Sequence, residues 1–118
     1  MDAELKALLS ELEAFGADND EAQDDRNNQM LNLEAEAAKF ISILARKGQC
    51  KRMLEIGTSN GYSTIWWAWV ATQTDGHVIS IERSPEKQAM ADENLIRAGL
   101  RDKVDLLLGD ATEIVKSL

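Results

Sequence analysis

The stretch Arg52-Met-Leu-Glu-Ile-Gly57-Thr-Ser-Asn-Gly61 constrains this chain more than any other. A short apolar run ending on glycine suits a strand buried on both faces, and the second glycine leaves a turn whose backbone N–H groups stay free. The next apolar stretch, Tyr62 to Thr72, is too long for another buried strand and reads as a helix. The alternation then repeats. His77-Val-Ile-Ser-Ile-Glu82 is a second strand, Ser84 and Pro85 open a helix as capping serine and first-turn proline, and Gly99 closes it after Ala98. Lys103-Val-Asp-Leu-Leu-Leu108 is a third strand, and Asp110-Ala-Thr-Glu113 has capping-box spacing with Asp in place of Ser or Thr.

Strands alternating with helices predict an α/β fold. With right-handed crossovers the three strands lie parallel in the order 3-2-1, a partial doubly wound, Rossmann-like sheet. Ligands of such sheets sit beyond the carboxyl ends of the strands, which puts the expected site above strand 1.

Ahead of the sheet, Leu5, Leu8, Leu9, Leu12 and Phe15 predict an amphipathic helix over residues 3–15, ended by Gly16. Ala17 to Asn28 is acidic and amide-rich and reads as a mobile linker or a loosely held helix. A second helix is expected from about Leu33 to Lys47, with Asn32 as N-cap, Phe40, Ile41 and Leu44 as its inward stripe, and Gly48 as its stop. Residues 1–32 are thus a helix and acidic linker, and 33–118 a sheet domain that ends before a fourth strand. Trp66, Trp67 and Trp69 lie within one helical turn and cannot all face one core, so one of them is a candidate for a subunit interface.

Charge and composition exclude several functions. Of 118 residues 44% are hydrophobic and 29% charged, which is ordinary globular usage. The net charge is -8, and residues 1–36 hold eleven acidic side chains against Lys6 and Arg26. Such a front repels phosphate backbones, so no nucleic-acid partner is expected. No apolar run approaches the roughly 20 residues of a bilayer span, and no signal-peptide order opens the chain, so no membrane and a cytoplasmic location are expected. One cysteine, Cys50, and one histidine, His77, allow neither a disulfide framework nor a Cys/His zinc site.

The candidate site gathers at three strand ends. In the loop Gly57-Thr58-Ser59-Asn60-Gly61 a ligand can approach the backbone closely, but the glycine spacing and the carboxylate of Glu55 do not fit a dinucleotide fingerprint. Glu82, closing strand 2, is placed to accept hydrogen bonds from ribose hydroxyls. Asp110, between Gly109 and Ala111, is placed to accept from an adenine amino group, and it also serves as a plain helix cap. Together the three ends suit one nucleoside.

On these residues the chain resembles a known group. Arg52 to Trp66, with Gly61-Tyr62-Ser63 as its more specific part, looks like the first motif of class I S-adenosylmethionine-dependent methyltransferases in the style of the catechol and caffeoyl-CoA O-methyltransferase family. The resemblance continues through Ile81-Glu82-Arg83 and Gly109-Asp110-Ala111, and more faintly at Met30-Leu31-Asn32-Leu33. It implies that Glu55 and the Gly57–Gly61 loop surround the methionine portion of S-adenosylmethionine, and that Tyr62 and Ser63 help hold its carboxylate. It further implies that Glu82 takes the ribose, and Asp110 with Ala111 the adenine. In that family the metal ligands and the general base follow the fourth strand, so no catalytic residue and no metal site is expected here.

Three readings stay open at this level. The chain is the cofactor-binding half of an O-methyltransferase acting on a small-molecule acceptor, or a non-catalytic S-adenosylmethionine-binding module, or a half-domain that dimerises through the open strand 1 edge. An NAD-binding oxidoreductase fragment is the runner-up enzyme class.

Overall fold

The computed structural model describes residues 1–118. Leu5, Leu8, Leu9 and Leu12 form the buried stripe of α1 (Ala3–Ala22), whose N-cap Asp2 accepts the Leu5 N–H at 2.8 Å. The expected stop at Gly16 is corrected, because α1 runs through it to Ala22. The reason is packing. Gly16 is buried, and a Cβ there would stand 2.4 Å from Asn32 Nδ2, so this glycine makes room for the returning chain.

Asn32 is not the cap expected of it either. Its amide donates to the Leu12 carbonyl at 3.2 Å, and α2 (Ala35–Lys47) begins after Glu34, which makes no side-chain cap bond. The inward face of α2 also differs. Ala38 and Ser42 are buried, whereas Phe40 is 63% and Leu44 55% exposed. The facing helix α3 (Tyr62–Thr74) packs on the Ala38 and Ser42 side of α2, and its bulky Trp66 and Trp69 line a cavity there together with Ala35 and Ser42.

The sheet follows the predicted order. Strands β1 (Arg52–Ile56), β2 (His77–Glu82) and β3 (Val104–Leu108) are parallel, with β2 central and Arg52 opposite His77. Helix α4 (Pro85–Arg97) starts as expected, with Ser84 Oγ accepting the Lys87 N–H at 3.2 Å. A short α5 (Ala111–Ile114) follows β3. Burial of β1 on both faces is corrected. Alternate side chains of a strand point to opposite faces, and Met53 and Glu55 meet the core and α3 while Leu54 (52%) and Ile56 (65%) stay exposed. Strand β1 is hydrogen-bonded to β2 alone and leaves one edge open.

The leucines of α1 share one core with Tyr62, Ile65 and Trp66 of α3, Val78 of β2 and Leu95 of α4. Trp66 is buried in it, edge-to-face with Trp69 at 6.4 Å, and the Arg46 guanidinium lies 4.8 Å from the Trp69 ring centroid. No helix is long and apolar enough to cross a membrane.

Candidate functional site

The turn from β1 into α3 is built by backbone geometry that few residues accept. Gly57 (φ 92) and Gly61 (φ 89) both take the left-handed region, and Ser59 joins them at φ 51. The Gly57 N–H donates to the Ile81 carbonyl at 2.8 Å, and the Thr58 and Ser80 hydroxyls pair at 2.6 Å, so the loop is stitched to the end of β2. At Gly61 a Cβ would meet Ala91 Cα at 3.0 Å, which fits glycine to the close passage of α4. Around Gly57, in contrast, nothing lies within 4 Å of where a Cβ would stand.

That open space belongs to a cavity of about 600 Å³ above the carboxyl ends of all three strands, within the usual ~300–1,000 Å³ of small-molecule pockets. Gly57, Thr58, Ser59, Tyr62 and Ser63 line one side. Glu82 and Arg83 line the middle, and Gly109, Asp110 and Ala111 the far side. Glu55, Asn60 and Gly61 lie behind this wall and do not reach the cavity.

Glu82 is buried, and its two oxygens accept the Ser59 and Ser84 N–H groups, each at 2.8 Å. It thereby ties the loop after β1 to the loop after β2, and each oxygen keeps a further lone pair. Asp110 accepts the Thr112 N–H at 2.8 Å through one oxygen, a cap on the second helical residue rather than the full box with Glu113. Its other oxygen makes no hydrogen bond.

Glu55 has a different occupation. It accepts from the Ser63 hydroxyl at 2.5 Å, Trp67 Nε1 at 2.8 Å, the Ser80 hydroxyl at 2.8 Å and the Thr64 hydroxyl. Four donors fill the carboxylate and join β1, β2 and the start of α3. The Ser63 hydroxyl is thus committed inward, but the N–H groups of Ser63 and Thr64 at the start of α3 have no acceptor.

The Tyr62 hydroxyl also points away from the cavity, donating to Glu13 Oε1 of α1 at 2.8 Å. Burial, first, and the Glu13 carboxylate push its pKa up from 10 to about 12, with the Trp66 side chain opposing them. A raised folded-state value means that this stabilisation is complete below pH 10 and is lost as the pH rises towards about 12. Tyr62 is the only tyrosine, so phenolate absorbance reads it directly. Half-titration near 12 is expected in the native chain, moving down in Glu13→Gln; titration at the ordinary tyrosine value would contradict the buried pair.

The structure adds residues that sequence patterning did not assign to the site. Met30, Leu31, Asn32 and Leu33 form the outer wall of the cavity, and Lys87 of α4 joins them, donating to the Gln29 carbonyl at 2.7 Å. Only the faint motif at Met30–Leu33 hinted at the strap. Nothing in the spacing marked Lys87.

Known proteins are similar to this chain in sequence and fold. A catechol O-methyltransferase of Niastella koreensis is 39% identical over 88 residues, 75% of this chain and 39% of that protein. An O-methyltransferase of Streptomyces achromogenes involved in tomaymycin synthesis, solved in complex with S-adenosylmethionine, matches with a TM-score of 0.75 and 30% identity over 100% of this chain and 48% of its own. A Bacillus cereus O-methyltransferase in complex with S-adenosylhomocysteine matches with a TM-score of 0.72 and 28% identity over 99% and 48%. The chain therefore spans less than half the length of each. The O-methyltransferase family model matches residues 1–118. On this match over its whole length and on the identity to these relatives, the chain belongs to the O-methyltransferase family.

Proposed function

We propose that this chain is the S-adenosylmethionine-binding part of an O-methyltransferase that releases S-adenosylhomocysteine and methylates a small-molecule acceptor. The observation that carries the reading is the cavity itself, open at Gly57 and flanked by two strand-end carboxylates with acceptor capacity left, Glu82 and Asp110. Vicinal ribose hydroxyls match Glu82, and an adenine amino group matches the free oxygen of Asp110, with Gly109 and Ala111 leaving room for the ring. The unpaired Ser63 and Thr64 N–H groups at the helix start suit the methionine carboxylate. The relatives solved with S-adenosylmethionine and S-adenosylhomocysteine support the same assignment.

When bound, the cofactor supplies an electrophilic methyl group on its sulfonium. This chain's part is to bind and orient, since methyl transfer gains chiefly from alignment of the reacting atoms. Glu55 sets the start of α3, Glu82 sets the two loops, and the strap walls the site from solvent. No group of three or more His, Cys, Asp and Glu side chains is placed to hold a metal ion. The open β1 edge with exposed Leu54 and Ile56 supports, as a further part of the reading, pairing there with a second copy or with additional polypeptide.

Calorimetric titration with S-adenosylmethionine, S-adenosylhomocysteine and NAD tests the reading. Saturable binding of the first two alone is expected. Gly57→Val puts a branched side chain into the cavity and costs roughly 1–2 kcal/mol of backbone strain at φ 92. Binding should weaken more than ~100-fold while circular dichroism stays native. Unchanged affinity would remove the cavity from consideration.

A further inference from the structure

Asp20, in the last turn of α1, is the best-connected side chain among the acidic residues that precede the sheet. One carboxylate oxygen accepts the Met30 N–H at 2.6 Å and the other the Leu31 N–H at 2.9 Å. Its backbone carbonyl accepts the Gln29 side-chain amide at 3.2 Å. Leu31 stands at φ 52, a left-handed conformation that a branched apolar side chain rarely adopts. Asp20 fixes the chain just before this residue through the Met30 and Leu31 N–H groups, and the Asn32 amide, donating to the Leu12 carbonyl at 3.2 Å, fixes it just after, so the left-handed turn at Leu31 is what joins the two anchors.

The same strap is tied from its other side. Ser59 Oγ, in the loop after β1, donates to the Met30 carbonyl at 2.7 Å, and Lys87 Nζ donates to the Gln29 carbonyl at 2.7 Å. Asp20 itself does not line the cavity, but Met30 and Leu31 do. Burial works to raise the Asp20 pKa, yet the Met30 and Leu31 N–H groups, the Asn19 amide and Lys87 outweigh it and hold the carboxyl below its ordinary value. The group that holds the strap is therefore ionised.

We propose that Asp20 is a positioning residue for the cofactor cavity, which keeps Leu31 left-handed and so sets the backbone of the strap Met30–Leu33 as the outer wall. This rests on the reading of the cavity as an S-adenosylmethionine site. Without the carboxylate, two adjacent N–H groups lose their acceptor and Leu31 relaxes to negative φ, which carries the strap away from Ser59. The residue acts through the strap rather than on the ligand.

Two measurements on the 118-residue chain test this. In amide hydrogen exchange of the free protein, the Leu31 N–H should be protected although its side chain is exposed. Asp20→Ala should abolish that protection while the β1 and β2 amides stay protected. In calorimetry, Asp20→Ala should weaken S-adenosylmethionine binding about tenfold, the size expected for losing charge-assisted backbone bonds. Adding Leu31→Gly, which accepts positive φ without strain, should restore most of the loss. A purely global loss of stability predicts no such rescue. Asp20→Asn, retaining one acceptor oxygen, should show the same pattern with a smaller loss and covers the case in which the alanine variant does not fold.

Rapid exchange of the native Leu31 amide would overturn the latch. Lost protection with unchanged affinity, or a loss that Leu31→Gly leaves untouched, would overturn its positioning role. Failure of the native chain to bind S-adenosylmethionine would instead sink the cofactor reading, and the positioning role with it, while the exchange result would still report on the latch.

Discussion

Glu55→Ala is expected to lower the unfolding free energy of this chain by about 4 kcal/mol, a large part of the ~5–15 kcal/mol by which such domains are stable. The carboxylate accepts from Ser63, Thr64, Trp67 and Ser80, so its removal strands donors from α3 and β2 at once. A charge-assisted bond contributes ~1.5–3 kcal/mol, but the four do not add. The three hydroxyls can rotate towards other acceptors, and water reaches a half-buried side chain, whereas the Trp67 indole N–H has no such freedom. Glu55→Gln keeps one acceptor oxygen and turns an NH2 on the remaining donors, so it should cost about half as much. Urea unfolding followed by circular dichroism measures both. A loss below ~1 kcal/mol in the alanine variant would mean that the hub is not formed in solution.

The second large effect concerns Glu82. Glu82→Ala removes the acceptor of two backbone N–H groups and, on the proposed reading, the acceptor of the ribose hydroxyls. Affinity for S-adenosylmethionine should fall by about 100-fold or more, and stability by ~1–2 kcal/mol, because Ser59 and Ser84 then keep unsatisfied donors in a half-buried setting. The two effects separate by temperature. At a temperature well below the variant's Tm, where circular dichroism reports a native fold, calorimetry reads the binding term alone. Native affinity under those conditions would take Glu82 out of the cofactor site and leave it a loop tie.

These two glutamates show how differently sequence and structure speak about one motif. Both end or nearly end a strand, and both were expected at the ligand. Glu82 does line the cavity. Glu55 lies behind it with its carboxylate filled, because the hydroxyls of Ser63 and Thr64 and the Trp67 indole all fall on the face of α3 that meets β1. Tyr62 and Ser63 tell the same story, since their hydroxyls go to Glu13 and Glu55 and what they leave for a ligand is the start of the helix.

What the amino-acid sequence determined by itself is what depends on near neighbours. Strand length and alternation set β1, β2 and β3, Ser84 and Pro85 set the start of α4, and the glycines after β1 and β3 set the turns from which the site is made. Their order along the chain, with right-handed crossovers, was enough for the parallel sheet and the place of the cavity. The tertiary structure decided everything that required a distant partner. Gly16 leaves α1 unbroken because Asn32 packs against it, α2 meets α3 through Ala38 and Ser42 and so turns Phe40 and Leu44 outward, and the anchors at Asp20 and Leu12 hold Leu31 in a conformation that Leu31 would not choose. A residue's local preference is worth a few tenths to about one kcal/mol, and a buried close approach or a charge-assisted bond to a remote backbone group is worth more. Where the two disagreed in this chain, the remote contact won.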